Sequence, residues 1–356
     1  MKVTGMACLG SFGTGTRDLL SACAALPAFG FAEGRRADTA ALSGLLPARS
    51  LRQTDHFTRM ALLAVLKAVE DAQDESGGDF SGGETAIVLA SGYGPASPTF
   101  DFLDSLLEYG ESMASPLAFS RSVQNIPAAT LAMRLGLTGP CATVCQWDNP
   151  VAPALAIAEQ WLREGRARRV LFGAVDEYTP FLAETSARLS ARKDACAAED
   201  RPRVPLGEGA VFFCLENRDK SRFYGEIGGI EPGVEPERID LENIASPGKD
   251  LQRKSLPGDA RRRASPALNA PADFPVPLWG EIFVSGRVPP EWAARPGVIR
   301  ALPAYGNIPV AQAFDLAVFF AQAETFPGGE TACVHFGRDG LADIVRAAGK
   351  SGERAA

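Results

Sequence analysis

Apolar residues along this chain fall into short blocks that alternate between two periods. Residues 57–73 (FTRMALLAVLKAVEDAQ) carry Met60, Leu63, Val65, Leu66 and Val69 at helical spacing, with Gly77 and Gly78 beyond the last turn, and predict a helix. The next block, TAIVLASGYG over 85–94, is a continuous apolar run that opens into a glycine loop. It predicts a strand covered on both faces. The alternation then returns: a helix over 150–164, with proline tolerated in its first turn and Gly165 after its end, and a buried strand over 168–177. Residues 207–216 and 223–231 predict two further strands, and Met1–Met6 an opening strand closed by Gly5. Strands at 281–285 and 331–336 flank a helix near 309–323. Buried strands interleaved with helices predict an α/β fold.

Residues 232–278 break this pattern. They are rich in Pro, Arg, Lys and Asp, include the run Arg261-Arg262-Arg263, and predict an extended surface loop. A basic loop could receive an acidic carrier protein, but plain solvation is the safer reading. The chain therefore divides into an N-terminal part (1–230), a loop-rich insertion or linker (231–279) and a shorter C-terminal part (280–356).

Composition narrows the partners. A hydrophobic share of 46% with 22% charged residues is that of a globular protein. A net charge of -7 argues against nucleic acid, which selects for basic surfaces. No window reaches the run of about 18 apolar residues that spans a bilayer, and the N-terminus lacks an apolar signal core, so the expectation is a cytoplasmic chain with no membrane span. Seven cysteines include no CxxC pair, and His56 and His335 are the two histidines; free thiols and no metal or other cofactor are expected.

Five stretches, taken in order, resemble one family, the β-ketoacyl synthases. They are MKVTGMACLGSFGTG at the N-terminus, LRQTDHFTRMALLAVLKAVEDA (51–72), FSRSVQNIPAATLAMRLGLTGP (119–140), VLFGAVDE (170–177) and LGEGAVFFCLE (206–216). The resemblance covers residues 1–230 well and the remainder weakly. It implies the thiolase fold: an α/β, five-layered αβαβα core made of two similar halves, the second one shortened here. It also implies a dimer paired through the edge strand of the first half.

In that family a cysteine thiolate at a helix N-terminus accepts an acyl group from a carrier protein, and two histidines assist decarboxylation of a malonyl thioester, one of them supported by a lysine. The nucleophile lies nine residues after the Gly of Gly-Pro and 17 before the glycine that ends the following helix; counted from Gly139 and from Gly165, both place Asp148 there. An aspartate just before Pro150 reads as a helix cap, favoured by the dipole that would favour a thiolate. IFVSGRV (282–288) puts Ser285 at the first histidine position, and AYGNIPVAQAFDLA (304–317) puts Asn307 at the second, with Leu302 at the lysine position. His56 and His335 read as surface or satisfied core histidines. HFGRDG (335–340) stands where the family has a Gly-Phe-Gly-Gly-Thr-Asn loop, so Arg338 and Asp339 intrude on a segment that gates the acyl pocket.

These replacements point to a non-catalytic subunit similar to a chain-length factor, paired with an active ketosynthase in fatty acid, polyketide or polyene synthesis and served by an acyl carrier protein. Two alternatives stay open. One is an active synthase or acyltransferase with Cys145, in TVCQWD, as a displaced nucleophile, against the plainer reading of a buried filler. The other is a stand-alone homodimer that binds an acyl chain or carrier protein. Phe119, Val123, Asn125 and Ile126 are the candidate substrate-binding residues, since the resemblance brings their segment to the acyl channel and dimer seam; a core role fits the apolar ones as well.

Overall fold

A computed structural model of the chain describes residues 1–25, 36–52, 54–73, 79–194, 205–217, 223–239, 282–286, 298–299, 301–305, 308–323, 329–336 and 341–350. The first five main strands are β1 (Lys2–Gly10), β3 (Thr85–Ser91), β4 (Cys141–Cys145), β5 (Arg169–Asp176) and β6 (Gly209–Glu216), with the short β2 (Gly13–Thr14) paired to β1. The second five are β7 (Gly225–Val234), β8 (Ile282–Gly286), β9 (Val298–Ile299), β10 (Glu330–Phe336) and β11 (Ala342–Gly349). The helices are α1 (Thr16–Ala24), α2 (Leu42–Leu45), α3 (Ala48–Leu51), α4 (His56–Ala72), α5 (Ala96–Tyr109), α6 (Pro116–Ser122), α7 (Ile126–Leu135), α8 (Val151–Arg163), α9 (Pro180–Asp194), α10 (Leu302–Tyr305) and α11 (Ala311–Ala323).

Strand order exposes an internal duplication that the sequence hides. The hydrogen-bonded order is β4-β3-β5-β6-β1-β7-β11-β10-β8-β9. Read outward from the β1–β7 junction, each side runs first, fifth, fourth, second, third in its own chain order. The pairing senses also match: β3 is parallel to β4 and β5 as β8 is to β9 and β10, while β6 and β11 run antiparallel to both their neighbours. This is the thiolase fold, two copies of one α/β unit joined where Lys2 and Val3 pair with Glu226 and Gly225. Strand β7 belongs to the second copy.

Burial explains the apolar runs. Every residue of β3 and β6 is buried, because helices cover both faces of that sheet. On the outer face α4 packs its Phe57, Met60, Leu63 and Ala64 against Leu171, Val175 and Phe212. Asp55 starts that helix by accepting the Thr58 N–H at 2.7 Å. On the inner face lie α8 and α11, and each packs on strands of both halves. The outer face of the second sheet, with Val284, Val334 and Ile344, has its own apolar cluster. Four layers thus fall within the described residues; positions 240–281, which include most of the expected loop and Arg261–Arg263, lie outside them, as do Gly77 and Gly78.

The opening strand runs past the expected stop at Gly5 to Gly10. Gly5 is there for close approach: a Cβ would sit 2.5 Å from Ala72 Cβ and 2.6 Å from Ala68 O, so a side chain would push α4 off the sheet. Among the described residues, no helix is long and apolar enough to cross a membrane.

Candidate functional site

The central helix α8 is aimed by the strand that precedes it. Strand β4 pairs in parallel with β3 up to the Ser91–Cys145 match, then leaves the sheet and delivers Trp147 and Asp148 to the head of α8. Asp148 does not cap that helix as expected. Pro150 is the N-cap, without a side-chain capping bond, so Asp148 stands two residues ahead of the cap and reaches forward instead. It meets the second half there: His335 Nε2 lies 3.9 Å from Asp148 Oδ1.

His335 comes from the fourth strand of the second half. Strands β8 and β10 are parallel and in register, with His335 opposite Ser285, and two such neighbours point to the same face. Ser285 Oγ lies 3.0 Å from His335 Nδ1, and both residues are buried. The structure thus sets Asp148 and Ser285 at the two ring nitrogens of one residue. It adds a third member, His335, which from the sequence reads as a surface or satisfied core histidine. The signal was present: IFVS and ACVH both carry a polar residue fourth in an apolar strand. His56, by contrast, is satisfied as read, its Nε2 2.8 Å from Glu208 Oε1.

The remaining candidates are dispersed. Leu302 opens α10, and Asn307 lies outside the described residues, as do 337–340 of the glycine-rich loop. Cys145 ends β4 rather than starting a helix, and its Sγ donates to Gly92 O at 3.6 Å. Burial first, then the nearby Asp176, pushes its thiol up to about 11, which leaves almost no thiolate at neutral pH. Phe119 on α6 packs its ring 5.2 Å from Phe102; with Val123 and Asn125 it is exposed, and Ile126 at the start of α7 is half-buried.

Beneath this site two consecutive acids close β5. Asp176 accepts from Ser91 Oγ (2.8 Å) and the Gly92 and Tyr93 N–H groups (3.0 and 3.1 Å). It also accepts the Val310 N–H from the other half, so one carboxylate fixes the turn after β3 against the approach to α11. Glu177 accepts from the N–H and hydroxyl of Ser97 at 2.8 and 2.9 Å. Burial outweighs those hydrogen bonds and raises Asp176 to about 6 and Glu177 to about 7.

Because both values lie above those of the unfolded chain, the folded protein holds more protons between about pH 4 and 7, and stability falls as pH rises through that window. Denaturant midpoints should therefore correspond to about 2–3 kcal/mol more stability at pH 5.5 than at pH 7.5. Glu177→Gln should flatten that slope; an unchanged slope would show that these acids do not drive it.

Comparison with known proteins agrees with this architecture. Residues 27–221 match the family described as Beta-ketoacyl synthase, N-terminal domain. The chain is 27% identical over 193 residues to the chloroplastic 3-oxoacyl-[acyl-carrier-protein] synthase I of Hordeum vulgare, covering 49% of this chain and 41% of that one. It spans about half or less of the length of the curated relatives it matches. Among solved structures, the ishigamide ketosynthase/chain length factor superposes with a TM-score of 0.69 at 18% identity, over 99% of both chains. AntDE:AntF, a type II polyketide acyl-carrier protein in complex with its ketosynthase bound to the hexaketide, gives 0.72 at 15% identity over 98% of both. The matched segment, together with two thiolase-type halves joined at the β1–β7 pairing, makes this chain a member of the β-ketoacyl synthase family.

Proposed function

We propose that this chain is a non-condensing, chain-length-factor-like subunit that pairs with an active ketosynthase and is served by an acyl carrier protein in fatty acid, polyketide or polyene synthesis. The observation that carries this reading is Asp148 at the head of α8. The residue two ahead of the N-cap is a carboxylate, and a carboxylate that captured an acyl thioester would form a labile anhydride. Cys145, held as a thiol, offers no substitute. We place the active partner against the first half. Strand β4 ends the strand order of the described residues; α7, which packs on it, exposes Met133 (75%), Trp147 (73%) follows the strand, and Leu107 (83%) on α5 is exposed as well. Exposed apolar side chains near a sheet edge favour a partner chain. The structural neighbours solved as ketosynthase with chain length factor, or with carrier protein, support the kind of partner.

Co-expression with an active ketosynthase from the same organism tests the pairing. Size-exclusion should give a heterodimer, and Leu107→Glu combined with Met133→Glu should weaken it at least tenfold, because both side chains are exposed in the isolated subunit and the charges would be buried only in the pair. A stable homodimer that ignores the ketosynthase would replace this reading with a stand-alone binding protein.

A further inference from the structure

The head of α8 holds more polar chemistry than a silent subunit uses. His335 Nε2 is buried and has no hydrogen-bond partner among the described residues, and the same holds for Oδ1 of Asn149, next to Asp148 in the chain. The His335 ring is already oriented from its other side by Ser285 at 3.0 Å. Asp148, with 27% of its side chain exposed, is the open side of the cluster. The 3.9 Å between His335 Nε2 and Asp148 Oδ1 is too long for a direct hydrogen bond. A single oxygen placed about 2.8 Å from both atoms would subtend about 90° between them, close to the angle a water molecule prefers when it donates twice.

We propose that Asp148, His335 and Ser285 form a hydrolytic site for acyl thioesters. With its proton on Nδ1 and donated to Ser285 Oγ, His335 presents the Nε2 lone pair to a water that also donates to the Asp148 carboxylate. The water oxygen attacks the thioester carbonyl carbon while one of its protons passes to Nε2. The carbon–sulfur bond then breaks, and Nε2 returns that proton to the departing sulfur. A carboxylic acid and a free thiol result, and nothing is oxidised or reduced. The first turn of α8, whose N–H groups lack intrahelical acceptors, lies within a few residues to stabilise the developing oxyanion. Asp148 and His335 are the catalytic residues; Ser285 is a positioning residue. The acyl-thioester substrate class follows from family membership, so this inference does not depend on whether the chain pairs with a ketosynthase.

The test is thiol release from octanoyl-N-acetylcysteamine by the full chain, alone and in complex with a ketosynthase whose own nucleophile has been replaced by alanine. Turnover should exceed buffer, and Asp148→Asn and His335→Asn should each lower it about 100-fold or more. Ser285→Ala should lower kcat with KM unchanged, and Ser285→Thr, which keeps the hydroxyl, should restore much of the rate. Asp148 is partly exposed, so Asp148→Asn remains a folded control if the buried histidine variant is unstable. Thiol release no faster than buffer, or equal in the Asp148→Asn variant, overturns the proposal. A chain that forms the heterodimer yet releases no thiol removes this inference and leaves the pairing intact.

Discussion

Glu208→Leu should cost about 3–5 kcal/mol of stability, more than any surface change in the chain. The Glu208 side chain is fully buried and anchors three otherwise separate segments. Its Oε1 accepts the Ala37 N–H at 2.6 Å and lies 2.8 Å from His56 Nε2, and its Oε2 accepts the Tyr178 N–H at 2.9 Å. Leucine has a comparable volume but no acceptor, so two main-chain donors and a ring nitrogen would lose their partner. Each such group costs about 1–3 kcal/mol when left unsatisfied. Glu208→Gln keeps one carbonyl oxygen and should lose markedly less. Equilibrium denaturation of the three proteins, with the slope checked for two-state behaviour, measures the difference. A leucine variant within about 1 kcal/mol of the parent would mean that water or other groups take over the acceptor role.

Glu208 also shows what the sequence made legible. The run LGEGAVFFCLE reads as a buried strand and resembles a family motif, and both readings hold: β6 is Gly209–Glu216, every residue buried. Nothing in that run reveals that the glutamate just before it faces inward to three donors, because those donors come from residues 37, 56 and 178. The same division runs through the fold. Long elements with one strong period, such as α4 and β5, begin and end within a residue or two of their predicted bounds. Strand β4 escapes because CATVC is five residues on a sheet edge, only partly buried, with too little apolar contrast to stand out. Helices α5 to α7 escape because they carry apolar residues on exposed faces as well as inward ones, which blurs the stripe a solitary helix would show. The duplication escapes because it lies in strand order and pairing sense, which no local pattern encodes.

At the site, spacing assigns Asp148 and the resemblance assigns Ser285, and neither says what surrounds them. Counting residues from Gly139 and Gly165 fixes a position along a helix; it carries no information on what a strand of the other half sets against it. His335 reads as a surface or satisfied core histidine, because the loop that HFGRDG replaces has glycine at that place. Its place depends on the parallel register of β10 with β8, a tertiary fact.

Asp148→Cys should gain what the chain lacks in part, acyl capture without carbon–carbon bond formation. A cysteine there would stand at the head of a 13-residue helix, whose dipole and free N–H groups favour a thiolate. It would also stand close to His335 Nε2, now 3.9 Å from Asp148 Oδ1, on a ring fixed by Ser285. That is enough for attack on an acyl thioester. Condensation asks for more: a malonyl thioester carbonyl polarised by two donors while the carboxylate leaves. The position that the resemblance gives to the first of these histidines holds Ser285, a buried hydroxyl already engaged with His335. Intact-mass measurement after incubation with an acyl thioester should show one acyl group on Asp148→Cys and none on the parent. Adding His335→Asn should slow the labelling at least tenfold. With malonyl thioester also present, no elongated product should form; its appearance would show that the histidine pair is dispensable for condensation in this chain.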